Sequence, residues 1–275
     1  MQISVLLLER CLGESDDIPR NKLQLLGVTC LFVASKFNET FHPPISDMVR
    51  ICDNSYTRQD HVEMEIKVMR LLQFQVYSVT PASYITALQT CLQEDMVVQM
   101  LAFYLANLGL VNGLVVRVPS SVIAASAVAL ALHTLRRPLR LDLIAMICRT
   151  TVSEVRKSAC FLHKLQMNDH LEYGLGVLPA FPEANKPVLR ACYDMHTVER
   201  WMAVSRVAPA MPILVGGGGG CDEVGSTYQC LWCGCAACAK QSMATGYYDV
   251  VHSSMADTAL DGALPRQREW AVRKY

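Results

Sequence analysis

Four thiols stand within nine residues in Cys230-Leu-Trp-Cys233-Gly-Cys235-Ala-Ala-Cys238. They form two CxxC knuckles, and each knuckle has the spacing with which two thiolates grip one soft metal ion. Only Gly234 separates the knuckles, whereas zinc ribbons leave a loop of about fifteen residues between them. A run this short wraps a single tetrahedral ion awkwardly, and a soft-metal cluster suits it better. The expectation is no metal centre, with Cys230, Cys233, Cys235 and Cys238 as the candidate ligands should one exist. The histidines at 42, 61, 133, 163, 170, 196 and 252 are dispersed, and no HExxH, GxSxG or Walker pattern joins them. Gly216–Gly220 has no following Lys-Ser/Thr, so it reads as a linker and not as a phosphate loop. No enzyme and no cofactor is expected.

The elements that would position any such chemistry are helical. The 275 residues leave room for one large domain or two ordinary ones. With 52% hydrophobic and 18% charged residues, the chain has ample apolar surface to offset chain entropy, which excludes global disorder. Aromatics are only 7% while Leu, Val, Ala and Met abound, a balance that favours helix over sheet. Lys+Arg and Asp+Glu are 25 each, so the basic excess of a nucleic-acid binder is missing. The opening Met1-Gln-Ile-Ser-Val-Leu-Leu-Leu-Glu-Arg10 has no basic n-region of a secretory signal. Cys11, Cys30, Cys52, Cys91, Cys148, Cys160 and Cys192 fall singly in predicted helices and read as small buried hydrophobes of a reducing compartment.

From Met96 to Val116 no residue is charged, which is enough length to cross a bilayer. Asn112-Gly113 reads as a helix stop within it, so the stretch is expected to be a buried helix and not a membrane span.

Periodicity predicts helices over 3–12, Leu23–Phe37, a short one capped by Ser46 to about Cys52, and one to about Leu72 opened by the capping box Thr57-Arg-Gln-Asp60. Leu23–Phe37 is apolar almost all round, so other helices should enclose it, approaching at Gly27, Cys30, Ala34 and Ser35. Val62, Ile66 and Met69 are expected to form the inner stripe of the last helix, widened by Met64, Val68 and Leu71. After Thr80-Pro81 a second group reads as helices at 82–92, 95–109, 120–135, 141–149 and 152–168. Its Ala-rich member from Pro119 to Leu135 repeats the small-residue central helix, so the two groups look like copies of one plan. After Tyr173 prolines and the glycine run break any long element.

Leu23-Gln-Leu-Leu-Gly-Val-Thr-Cys-Leu-Phe-Val-Ala-Ser-Lys-Phe-Asn-Glu39 is similar to the central helix of the cyclin box. Pro43-Pro44, Asp47, Asp53-Asn54, Tyr56-Thr57 and Met64-Glu65 follow at the spacing of A- and B-type cyclins. Leu101-Ala-Phe-Tyr-Leu-Ala-Asn-Leu108 and Pro119-Ser-Ser-Val-Ile-Ala-Ala-Ser-Ala127 resemble parts of the second cyclin fold. The resemblance implies an all-α protein of two tandem five-helix cyclin folds, at 1–80 and 81–172, followed by an irregular, flexible Pro/Gly/Cys-containing tail at 173–275. It also implies that the first fold is truncated before Met1.

The function implied is that of a mitotic-type, non-enzymatic regulatory subunit in nucleus and cytoplasm. It would bind a cyclin-dependent protein kinase as a heterodimer and hold the kinase αC helix in its active position. Lys36 and Glu65 match the family's pair that hydrogen-bonds kinase backbone beside that helix, and Phe37 matches an adjacent apolar contact. Arg20 and Gln24 match two polar positions of the groove that docks Arg-x-Leu substrates. Asn38 departs from the acidic residue usual there. A cyclin-fold transcription factor that binds nucleic acid or other proteins is the alternative, and the neutral charge argues against it.

Overall fold

The computed structural model describes residues 1–14, 18–114, 118–169 and 186–207, together with the short segments 213–216, 229–230 and 249–252. The chain divides into two units, Met1–Thr80 and Pro81–Tyr275.

In the first unit α1 (Gln2–Glu14), a 3-10 turn (Arg20–Lys22), α2 (Leu23–Asn38), α3 (Ile45–Ile51) and α4 (Arg58–Leu71) follow one another. Leu7 and Cys11 of α1, Leu25, Leu26, Cys30 and Val33 of α2, and Met64 and Val68 of α4 belong to one core cluster. The start of α4 is built by the expected capping box. The Asp60 amide donates to the Thr57 hydroxyl at 3.2 Å, and the Thr57 amide donates to the Asp60 carboxylate at 2.8 Å. Before α3 stands Pro44, which offers no side-chain cap, and Ser46 lies inside the helix.

Three expectations are corrected here. The inner face of α4 is His61, Met64, Val68 and the following Leu72, and Ile66 is left 46% exposed. Both sets have helical spacing, and His61 is not counted by an apolar pattern. Of the expected stripe, Met69 still packs partly buried against the cluster while Ile66 does not. Helix α2 is not enclosed all round, since α1, α3 and α4 cover one side and leave Leu31 and Phe37 exposed. Gly27 is not a close-approach point, because a Cβ there would meet open space.

The second unit holds α5 (Pro81–Leu92), α6 (Met96–Val111), α7 (Ser120–Thr134), α8 (Leu141–Ile147) and α9 (Val152–Asp169). Every residue of α7 from Val122 to His133 is buried, as an uncharged Ala-rich central helix requires. Close approach does occur at Gly109 of α6, where a Cβ would come within 2.9 Å of Leu162 Cδ2 on α9. Helix α9 opens with a capping box of its own: the Glu154 amide donates to the Thr151 hydroxyl at 3.2 Å, and the Thr151 amide to the Glu154 carboxylate at 3.1 Å. The succession α2, α3, α4 thus recurs as α7, α8, α9. Helix α6 stops at Asn112, with Gly113 left-handed at φ +69°. Its length is about 24 Å, below the roughly 30 Å of a bilayer core, and no described helix is long and apolar enough to cross a membrane.

The irregular tail is corrected in part. Lys186–Thr197 forms α10, which packs on α6. Pro187 lies in the first turn, where its missing N–H interrupts no helical bond, so a proline does not forbid this helix. His196 is fully buried; its Nδ1–H donates to the Cys192 carbonyl at 2.9 Å, and the Asn107 amide of α6 donates to its Nε2 at 3.3 Å. The Tyr104 and Trp201 rings lie against it, at 5.2 and 4.9 Å between centroids. Beyond it, β1 (Ile213–Gly216) pairs antiparallel with β2 (Gln229–Cys230) and parallel with β3 (Asp249–His252) in the order β2-β1-β3. Cys230 sits on β2 opposite Leu214. Cys233, Cys235 and Cys238 lie outside the described residues.

Candidate functional site

Core packing of α2 against α4 brings the last turn of α2 beside the middle of α4, with Lys36 and Glu65 at the rim. The Lys36 ammonium donates to both carboxylate oxygens of Glu65, at 2.7 and 2.9 Å. One turn earlier on the same face, Phe32 presents its ring to the ammonium, 4.1 Å from Nζ to the centroid. Phe32 is itself fixed, only 4% exposed and edge-on to His42 at 5.9 Å.

The ion pair keeps contact with water, its side chains 37% and 23% exposed. A pair so placed contributes at most about 1 kcal/mol to folding. Its remaining hydrogen-bonding capacity is what matters. A lysine ammonium carries three N–H donors and a carboxylate about four acceptor positions, so a partner's carbonyl and N–H groups can still be served. A large apolar side chain adjoins each member in the chain, Phe37 at 50% exposed next to Lys36 and Ile66 at 46% next to Glu65. Phe41, five residues beyond Lys36, is 93% exposed. Charged hydrogen-bonding groups bordered by unburied apolar rings are the composition of a docking surface.

Arg20 and Gln24 lie at the other end of α2, both exposed, Arg20 in the 3-10 turn and Gln24 in the first helical turn. The Tyr56 hydroxyl ties that turn to the unit by donating to the Asn21 carbonyl at 2.6 Å. About 18 Å of helix separates Gln24 from Lys36, so these are two places on one unit. Sequence reasoning missed Phe32 and Ile66. The i,i+4 spacing of Phe32 and Lys36 would have revealed the first, and Ile66 was assigned to the core.

The family model described as "Cyclin, N-terminal domain" matches residues 1–77, and "Cyclin, C-terminal domain" matches residues 79–173. The chain belongs to the cyclin family. Relatives of this cyclin include Cyclin-A2-3 of Arabidopsis thaliana, 39% identical over 43% of this chain and 27% of that protein. Cyclin-B2-1 of Oryza sativa subsp. japonica is 27% identical over 79% of this chain and 48% of its own length. G2/mitotic-specific cyclin-2 of Medicago sativa is 33% identical over 46% of this chain and 38% of its length. The chain spans about a quarter to a half of the length of these relatives. Lys36, Phe37, Glu65, Arg20 and Gln24 all fall within the match to the N-terminal cyclin domain.

Proposed function

We propose that this cyclin is a non-catalytic regulatory subunit that binds and activates a cyclin-dependent protein kinase in cell-cycle control, at G2/M. The observation that carries the reading is the preformed Lys36–Glu65 pair on a cation–π platform, beside the exposed Phe37. Kinase catalysis requires the β3 lysine and the αC glutamate to meet, so a partner that holds αC inward sets the activity. Lys36 would donate to, and Glu65 accept from, kinase main chain beside αC, while Phe37 packs against it. Arg20 and Gln24 would serve a separate groove for Arg-x-Leu substrates. The G2/M assignment draws support from the mitotic-specific relatives. The reading carries a nuclear and cytoplasmic location with it.

The test mixes purified chain with a purified cyclin-dependent kinase and measures mass by light scattering after size exclusion. A one-to-one complex at micromolar concentration is expected. Two separate species at that concentration would reject the reading.

A further inference from the structure

In the second unit, the end of α6, the start of α7 and the first half of α9 enclose a cavity of about 340 Å³. Its walls are Leu114, Val118, Pro119, Val122 and Phe161. Leu114 and Val122 are buried while Pro119 is exposed, so the cavity has a covered floor and an open mouth. That volume, with an apolar lining and a few polar groups, is the build of a site for a small organic molecule.

The polar groups differ in what they already hold. Ser158 lines the cavity and is only 5% exposed, yet its hydroxyl makes no hydrogen bond among the described residues. A helical serine commonly returns its hydroxyl to a carbonyl one turn back, and a buried hydroxyl left without a partner loses the hydration it had in water. Ser126 of α7 shows the satisfied case, its hydroxyl donating to the Val155 carbonyl of α9 at 3.1 Å. Glu154, at the mouth, is committed to the helix cap. Its Oε2 accepts from the Thr150 hydroxyl at 2.9 Å, the Thr151 hydroxyl at 2.8 Å and the Thr151 amide at 3.1 Å. Asn112 directs its side-chain amide to the Leu108 carbonyl at 2.9 Å. Lys157 stands exposed at the mouth with a fixed positive charge and three N–H donors, and it is the group there that answers an anion.

We propose that this cavity is a binding site for a small aromatic monocarboxylate that carries a hydroxyl or carbonyl oxygen on the far side of its ring. The ring packs on Phe161 and Val122, where an aromatic pair adds to the apolar burial. The ring oxygen meets the Ser158 hydroxyl on the floor, and the carboxylate lies at the mouth beside Lys157. The ligand thus supplies the partner that Ser158 lacks, and it touches α6, α7 and α9 through their exposed and buried ends at once.

The probe is para-hydroxyphenylacetate, added to the full chain and followed by saturation-transfer NMR. Binding with a Kd of about 1 mM or tighter is expected, the range open to a ligand of this size. Phenylacetate, which lacks the hydroxyl, and para-cresol, which lacks the carboxylate, should each bind about threefold or more weakly. Ser158→Ala should abolish the advantage of the hydroxyl and leave phenylacetate binding unchanged. Lys157→Gln should abolish the advantage of the carboxylate and leave para-cresol binding unchanged. Both variants should keep the wild-type circular dichroism, since one alters an exposed side chain and the other removes an unpartnered hydroxyl. Absence of saturation transfer, or binding that neither substitution alters, would overturn the proposal. So would para-cresol binding as tightly as the acid.

Discussion

Lys36 is held by three groups it cannot leave without loss: two carboxylate oxygens of Glu65 and the face of Phe32. That fixes an ammonium on a surface where a lysine would otherwise sample many rotamers, and so removes an entropy cost from docking. Lys36→Ala is expected to change folding stability by less than about 1 kcal/mol, because the pair is partly in water. Affinity for the kinase should fall by about 2–5 kcal/mol, roughly 30-fold or more, because the lost group is desolvated only in the complex. Thermal melts and calorimetric titration of the same preparations check both halves, and a large drop in melting temperature with unchanged affinity would refute the role. His61 and His196 act on a different property. Burial holds each below the usual histidine pKa, outweighing the Asp60 charge in the first case and the Cys192 carbonyl in the second. The unfolded chain, titrating near 6.5, then binds more protons than the folded one. Stability is fully present above about 6.5 and is lost as pH falls through the depressed folded-state values. The urea midpoint should be lower at pH 5.5 than at pH 7.5, and equal midpoints would contradict this.

Among the elements, α10 is the one whose docking makes a prediction of its own. Cys192, Tyr193 and His196 are buried, as is Val204 just beyond the helix. At about 1.5–3 kcal/mol for each large apolar side chain, less the entropy of ordering the segment, removal should cost several kcal/mol. A chain ending at 173 is therefore expected to melt at least about 10 °C below one ending at 207. Equal melting temperatures would return the segment to the status of a dispensable tail. Helix starts and stops were legible in the sequence wherever a side chain enforces them: Thr57 with Asp60 at α4, and Asn112-Gly113 at the end of α6. Faces were less so. The α4 stripe was right at Met64 and Val68 and misplaced at its centre, because Val62, Ile66 and Met69 share the period of His61, Met64 and Val68, and the choice between them depends on where α2 lies. Helix α10 was missed because Pro187 and its neighbours read as breakers, while the partner that stabilises it, α6, is distant in sequence. The candidate site itself was legible only through its resemblance to the cyclin box; nothing in the spacing of Lys36 and Glu65 announces that they meet.

For the molecule as a whole, one helical plan appears twice, but the two copies treat their central helices differently. Helix α7 is buried along almost its full length, whereas α2 leaves Leu31, Phe37 and the Lys36–Glu65 pair at the surface. The Lys36–Glu65 pair and its exposed apolar neighbours thus belong to the first unit, and the apolar core of the second is extended by α10. A net charge of zero offers no electrostatic footprint for nucleic acid, which leaves a protein partner as the reading that the surface favours. The most direct measurement is phosphate transfer by a purified cyclin-dependent kinase to a peptide substrate, with the wild-type chain or with Lys36→Ala/Glu65→Ala added at equal concentration. The wild-type chain should stimulate the kinase, and the double variant, equally helical by circular dichroism, should stimulate it at least about tenfold less at subsaturating concentration. No stimulation by the wild-type chain, or equal stimulation by both, would contradict the account.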